Sequence, residues 1–177
     1  MDKKIGLFWL RDDFRFVKNH GLIEATVKHN QVVVFYLYKK DIYSDQEAQK
    51  WWLSRSLSNF KKKLNELNIS LEIVETHSFK VFFDSLVKKK DFAMYWNKVY
   101  EPDYLKFDEY LLNIFKNKKI YHKRFKGNAL NEIDEVKKSD GTPFKVFTPF
   151  WRAAEKFFSE KIPSKERAIK KCKNKTN

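Results

Sequence analysis

Two segments of this 177-residue chain carry residue types that could bind a planar heterocycle. Segment 9–15 has the sequence WLRDDFR, and segment 95–102 has the sequence YWNKVYEP. Trp and Tyr rings can stack on such a ligand, while Asn and Glu side chains can exchange hydrogen bonds with it. The same residue types are also typical of charged surface loops and of cores beside strands, so these alternatives stay open on the residues alone.

Signatures of metal, nucleophilic and phosphate-loop chemistry are missing from the sequence. The four glycines form neither G-x-G-x-x-G nor a Walker loop, which excludes a glycine-cradled dinucleotide or triphosphate. The four histidines stand in no metal-binding pair, and no G-x-S-x-G nucleophile motif occurs. The single cysteine, Cys172, lies in a polar tail, which predicts no disulfide framework and no thiolate metal site. Nothing in the sequence indicates acid–base or covalent catalysis.

Short apolar runs alternate with segments of helical period, and together they position the two segments. Five runs predict strands. They lie at residues 5–10, 32–37, 69–74 and 92–96 and around Ile120 and Tyr121. Helical segments fill the gaps between them. One opens on a capping box, Ser44 to Glu47, and carries an apolar stripe. The stripe comprises Ala48, Trp52, Leu57, Phe60, Leu64 and Leu67.

The next two helical segments have equally clear apolar faces. One repeats the helical period at Phe79, Phe82, Phe83 and Leu86. The other begins at Pro102, and its buried face comprises Tyr104, Phe107, Leu111 and Phe115.

Five strands alternating with four helices predict an α/β fold: a doubly wound, five-stranded parallel sheet with helices on both faces, similar to a Rossmann fold. Ligands of such sheets bind at the carboxyl ends of the strands. Those ends place Trp9 and Arg11, Tyr36 and Leu37, and Asn97 at the predicted site.

Composition limits the partners and the compartment. The net charge of +14 comes almost entirely from lysine, which favours weak, non-specific, salt-sensitive attraction to DNA over specific recognition. No run of eighteen apolar residues occurs, so no membrane partner is expected. With no signal peptide and one cysteine, we expect a reduced, cytoplasmic protein.

The pattern changes after about residue 126. An irregular segment leads to a last amphipathic helix with Trp151, Ala154 and Phe158 on one face, and the chain beyond Pro163 has little to bury. We therefore predict one domain over residues 1–160 and a basic linker over residues 161–177.

Three motifs in this order resemble the N-terminal α/β domain of the DNA photolyase/cryptochrome family, over roughly residues 4–158. Segment 9–15 is similar to the family's W-F-R-x-D-L-R motif, and residues 97–102 to its N-x-x-Y-E-P motif. Residues 141–150, GTPFKVFTPF, are similar to its G-x-P-Y-x-V-F-T-P-F motif. Asn19 and Asp108 also match an asparagine and an aspartate of the family.

The resemblance implies a domain that binds a light-harvesting antenna chromophore, a folate or a deazaflavin. It places Trp9 and Arg11 beside the antenna pocket, with Asn97, Tyr100 and Glu101 at the neighbouring strand end. Asp103 stands where folate-using members tend to have another residue, a departure that leaves an empty, vestigial site as an alternative.

The resemblance also implies a partner, the family's helical domain, which binds FAD and admits the damaged pyrimidine dimer. That domain is absent from this chain, so FAD is not expected to bind here and the chain alone is predicted to be inactive. The favoured function is the antenna domain of a DNA photolyase. The alternatives are a cryptochrome-type photoreceptor or signalling module, an interaction domain without a chromophore, and a free-standing nucleotide-binding protein, which the missing glycine loop disfavours.

Overall fold

The computed structural model describes residues 5–39, 45–129, 132, 135–159 and 168–173. They belong to two compact units. The first, which we call the α/β unit, comprises Met1–Gly127 with Arg167–Asn177, and the second comprises Asn128–Glu166.

The α/β unit contains the predicted five-stranded parallel sheet. The strands are β1 Ile5–Leu10, β2 Val32–Tyr38, β3 Ser70–Glu75, β4 Phe92–Asn97 and β5 His122–Phe125. Their order across the sheet is β3-β2-β1-β4-β5, and every neighbouring pair is parallel. The fold class is therefore confirmed. The fifth strand, predicted around Ile120 and Tyr121, begins at His122. Ile120 is buried between α4 and this strand, and Tyr121 is half exposed.

Helices cover both faces of the sheet, as predicted. They are α1 His20–Lys28, α2 Glu47–Glu66, α3 Phe79–Leu86 and α4 Pro102–Asn117. Phe8 and Leu10 of β1 point into a core shared with α1 and α2, whereas Trp9 points into the core shared with α3 and α4. This alternation along β1 is what a strand buried on both faces requires.

Helix α2 differs from its prediction in its first half. Its buried residues are Leu57, Phe60 and Leu64, while Trp52 of the predicted stripe is 68% exposed. A 20-residue helix is about 30 Å long, whereas strands of six or seven residues span roughly 20 Å. The sheet is therefore too short to cover the whole length of α2. The helix starts at Glu47, which is thus not the third residue of a capping box, and Ser44 lies outside the described residues.

Two helices end on left-handed residues at the edge of the sheet where the strands begin, which we call the amino edge. In α4, the amide of Ile120 donates to Phe115 O and that of Lys119 to Lys116 O, the two bonds of a Schellman cap. Lys119 has φ of 55°, a conformation that costs a residue with a Cβ roughly 1–2 kcal/mol and that glycine adopts freely. Helix α2 ends in the same way on Asn68.

The C-terminal residues 168–173, which we call the C-terminal strap, pack on the α/β unit. The Cys172 amide donates to Leu67 O at 2.8 Å, and the Lys173 amide donates to Asn30 O at 3.1 Å. Cys172 is 3% exposed, and its burial raises the pKa of the thiol. The expectation that the tail has little to bury is therefore wrong at Cys172 and at Ile169, which packs against the core. The division at residue 160 stays a prediction.

The second unit contains the last helix, α5 Phe147–Ser159, after a turn at Gly141. Gly141 has φ of 79°, which explains a glycine at this motif position. Ala154 is buried and Trp151 is 46% exposed, while the side chain of Phe158 lies outside the described residues.

Candidate functional site

The carboxyl edge of the sheet, where the strands end, has its topological switch point between β1 and β4. The chain moves outward from β1 through β2 to β3 on one side, and from β4 to β5 on the other. Loops that leave β1 and β4 therefore diverge, which is the arrangement that opens a ligand crevice in doubly wound sheets. Arg11 follows β1, and Asn97 is the last residue of β4.

Arg11 is the central charged group of this edge, and it is only 5% exposed. Its guanidinium donates to both carboxylate oxygens of Asp108, at 3.0 and 3.3 Å, and to the backbone carbonyl of Asn97. The rings of Trp9 and Tyr104 lie against it, at 4.8 and 5.4 Å from the guanidinium carbon. Burial lowers the pKa of Arg11, and the Asp108 carboxylate opposes that effect. The pair thus ties β1 and β4 to helix α4.

Asp108 carries a second cationic contact. Arg124 of β5 lies 3.5 Å from Asp108 Oδ2 and also contacts Glu109 at 3.3 Å. Asp108 itself is completely buried. One carboxylate therefore links helix α4 to residues of three strands, since Arg11 in turn contacts the end of β4.

Asn97 is the hub of the neighbouring hydrogen bonds. Its amide nitrogen donates to Asn19 Oδ1 at 2.9 Å and to Asp13 Oδ2 at 3.2 Å, while its oxygen accepts from the Gly21 amide at 3.0 Å. Asn19 Oδ1 also caps α1 by accepting from the Leu22 amide. A Cβ on Gly21 would lie 2.7 Å from Asn97 Oδ1, so this contact needs glycine. Asn97 therefore fixes the start of α1 against the end of β4.

The loops beyond this hub are held by a second set of contacts. Arg15 forms a two-pronged ion pair with Asp13, at 2.6 and 2.7 Å. The Tyr100 hydroxyl accepts from the Gly127 amide at 3.2 Å. A Cβ on Gly127 would lie 2.1 Å from the Lys98 carbonyl oxygen, so glycine is also required there.

The predicted site residues divide into two groups by exposure. Five are buried in the core or in the polar network: Trp9, Arg11, Tyr36, Leu37 and Asn97. The other three lie at the start of α4, where Tyr100 is half-buried and Glu101 and Asp103 are exposed. The latter group is the part of the predicted site with side chains accessible to a ligand.

Sequence reasoning missed the structural role of Asp108. The residue lies four positions after Tyr104 and three before Leu111, and therefore on the apolar face predicted for this helix. A carboxylate on such a face needs a buried partner. That signal was present in the sequence, although it does not identify Arg11 as the partner.

The environment of Asp12 at this edge disfavours its charged form. It is exposed by surface area, yet the groups packed around it partly desolvate it and raise its pKa. The nearby Glu101 carboxylate raises the pKa further, and Arg11 opposes both effects. The two carboxylates are thus close enough to repel each other.

The fold and this network define a doubly wound α/β domain with a buried polar network at its switch point. The family model for DNA photolyase matches residues 6–167, and the chain belongs to that family. The resemblance seen in the three motifs is thereby confirmed.

Curated relatives support the same conclusion. A deoxyribodipyrimidine photo-lyase of Agrobacterium fabrum is 27% identical over 149 residues, which are 84% of this chain and 31% of the relative. One of Alkalihalophilus pseudofirmus is 30% identical over 152 residues, 82% of this chain and 31% of the relative. The chain thus spans about a third of the length of these relatives.

Solved structures share the fold. A class III photolyase of Agrobacterium tumefaciens superposes with a TM-score of 0.77 at 24% identity, covering 99% of this chain and 36% of its own. A Synechocystis cryptochrome gives 0.75 at 17% identity, covering 99% and 38%. A Sulfolobus tokodaii photolyase, solved with two FAD molecules, gives 0.74 at 18% identity, covering 94% and 37%.

The described part of the chain shows neither a membrane-spanning helix nor a metal-binding cluster. Its helices include none with the length and apolarity needed to cross a bilayer. Its His, Cys, Asp and Glu residues form no group of three or more that could hold a metal ion.

The Arg11–Asp108 pair should dominate stability at this edge. Asp108→Leu leaves the buried guanidinium without its carboxylate and should lower the free energy of unfolding by about 3–5 kcal/mol, measured by urea denaturation. The double variant Arg11→Met with Asp108→Leu should recover much of that loss, because it removes both charges. Glu47→Gln, which breaks the exposed Lys50–Glu47 pair, is the control and should have little effect. Equal losses in the single and double variants would contradict this account.

Asp12→Asn should stabilise the protein at neutral pH. A carboxyl whose pKa is raised by folding destabilises the native state above that pKa and has no such effect below its unfolded pKa of about 3.9. The gain over wild type should therefore shrink as the pH falls towards 4, as followed by urea unfolding at both pH values. Asp91→Asn is the matched control, because losing a carboxylate from a chain of net charge +14 should by itself destabilise. A gain at Asp12 that persists unchanged at pH 4 would show that charge is not its cause.

Proposed function

We propose that this chain acts as the antenna-chromophore domain of a DNA photolyase, harvesting light for a flavin held by a separate helical domain. The observation that carries the proposal is the family match over residues 6–167, together with the topological switch point at the carboxyl edge of the sheet. The curated relatives, which are photolyases, favour repair over signalling as the parent activity.

The accessible residues of the crevice suit a heterocycle that carries N–H donors. Glu101 and Asp103 offer carboxylate oxygens at the start of α4, and Tyr100 offers a ring. Beside them, the buried Nε–H of Arg11 has no hydrogen-bond partner among the described residues. Such a donor and acceptor set fits the pterin of a folate or the ring of a deazaflavin. When bound, that chromophore would absorb light and pass excitation to the flavin.

The same crevice is poorly suited to FAD. A dinucleotide pyrophosphate is normally held by a glycine-rich turn at a helix N-terminus, and the loop from Arg11 to Asn19 contains no glycine. The exposed carboxylates Glu101 and Asp103 would also repel phosphate groups. The proposal therefore assigns FAD and the bond-splitting step to the helical domain.

An exposed apolar surface on the second unit supports docking to a further domain. Val146 and Phe147 are 63% and 70% exposed, and Phe150 and Trp151 are 37% and 46% exposed. Apolar patches of this kind are typical of protein interfaces. In the proposal, this surface contacts the helical domain that makes up the rest of the relatives' length.

A second candidate function follows from the burial of the predicted site. Five of the eight predicted site residues are buried and committed to packing or to the polar network, which favours an interaction domain with no chromophore. A cryptochrome-type signalling module has the same fold and is the other alternative.

Titration with a folate and with a deazaflavin, followed by ligand fluorescence, distinguishes these functions. We expect one of the two to bind, and the double variant Glu101→Gln with Asp103→Asn to lose roughly 1.5–3 kcal/mol of affinity for each charged hydrogen bond removed. Glu109→Gln, an exposed carboxylate further along α4, is the matched control and should bind normally. Arg11 is unsuitable for this test because its removal alone would leave the buried Asp108 carboxylate without its closest cationic partner.

Two results would contradict the proposal. Failure of both ligands to bind at saturating concentration would favour the interaction domain. Illumination of the purified chain with dimer-containing DNA and reduced FAD should restore no bases, and any repair would show that the catalytic step belongs to this chain.

A further inference from the structure

The amino edge of the sheet carries an unusual concentration of positive charge. Helices α1, α3 and α4 end there, and the C-terminal strap is hydrogen-bonded to the loops before β2 and β3. Ten exposed lysines belong to these helix ends, loops and strap: Lys28, Lys88, Lys89, Lys90, Lys116, Lys118, Lys119, Lys170, Lys171 and Lys173. Glu66, Asp84 and Asp91 are carboxylates of the same described helix ends and loops, so the ten lysines exceed these carboxylates by seven charges.

None of these ten lysines forms an ion pair within the described part of the chain, although the Lys88 charge interacts with the Asp84 carboxylate. The ion pairs found there lie on the carboxyl edge, on the helix surfaces or between α1 and β5, as Arg11–Asp108, Lys80–Asp84 and Lys123–Glu24 show. No carboxylate of the described residues lies within ion-pair distance of the ten. As far as the described residues show, most of this charge is therefore available to an external partner.

Helix stability explains only part of this arrangement. Lysines in the last turn of a helix interact favourably with its dipole, and Lys28 and Lys116 hold such positions. Lys88 to Lys90 and the three strap lysines lie outside the helices. Lys90 and Lys119 have φ of 57° and 55°, where glycine would be conformationally cheaper. Charge is thus placed at two positions that backbone energetics would assign to glycine.

We propose that the amino edge of the α/β unit is a binding surface for the phosphate backbone of duplex DNA. Five strands at spacings of about 4.8 Å make this edge about 20 Å wide, a length of duplex that carries on the order of ten phosphate charges. Lysine, a flexible point charge, suits contact with phosphates without sequence recognition. The surface lies opposite the carboxyl edge, so the proposal does not depend on an antenna chromophore.

Duplex DNA fits this surface better than an anionic membrane does. Binding at a bilayer surface combines positive charge with apolar side chains that enter the lipid. On the described amino edge, Tyr121 is the exposed large hydrophobic residue, at 50%. The exposed tryptophans belong instead to the projecting part of α2 and to α5.

The test is fluorescence anisotropy of the 177-residue chain with a labelled duplex of mixed sequence, at several salt concentrations. The double variant Lys90→Gly with Lys119→Gly removes two charges and also relieves two left-handed residues, so it should be at least as resistant to thermal unfolding as wild type. Its affinity for the duplex should fall several-fold. The slope of log affinity against log salt should become shallower by about 2, or 0.9 for each lost phosphate contact.

The matched control removes the same charge elsewhere. The control variant is Lys50→Gln with Lys106→Gln. These lysines lie near the starts of α2 and α4, on the side of the carboxyl edge, so their loss should leave the salt slope unchanged. If the glycine variant does not fold, Lys88→Gln with Lys118→Gln takes its place. The proposal would be overturned if the amino-edge variant and the control variant lost affinity for the duplex equally. It would also be overturned if the amino-edge variant lost none. So would binding to phosphatidylserine vesicles without binding to the duplex.

Discussion

The buried ion pair between Arg11 and Asp108 is the interaction on which the carboxyl edge of this domain depends. A guanidinium removed from water is tolerable only where a carboxylate and further acceptors surround it, and here the acceptors come from α4 and β4. This requirement fixes helix α4 against the sheet. The Asn97 hub then holds the start of α1 against the end of β4. The positions of the loops at this edge are therefore set by buried groups.

The elements of the fold could be predicted from the sequence because each has a local cause. Apolar runs produce the strands, and Pro102 with the period of Tyr104, Phe107 and Leu111 produces α4. Trp52 was placed in the core because helical period reports a face but not how far the sheet beneath it extends. The burial of Cys172 could not be predicted, because the lysine-rich sequence around it is typical of a solvated tail while its amide bonds to the distant Leu67 carbonyl.

The site was predicted less completely, because motifs show which residues matter without showing where their side chains are committed. Trp9, Arg11 and Asn97 are buried in packing and hydrogen bonding at the carboxyl edge. Their part in ligand binding stays a prediction. Asp108 had a visible signal, a carboxylate on an apolar helix face, whereas its pairing with Arg11 depends on a crossing of 97 residues in sequence. The sheet consequently has two edges of different character: a nearly balanced polar network at one and unpaired lysines at the other.

The C-terminal strap also has a consequence for how the molecule assembles during synthesis. The Asn68 side-chain amide donates to Cys172 O, and the Lys170 backbone amide donates to Thr26 Oγ1. These bonds join residues 104 and 144 positions apart, among the longest separations in the α/β unit. Contacts so distant in sequence carry a large loop-closure cost and form late. While the ribosome is still elongating the chain, the sheet can therefore pair strand by strand, but the loops before β2 and β3 stay uncovered. The native state is completed only when the segment through residue 173 has emerged and closed over them.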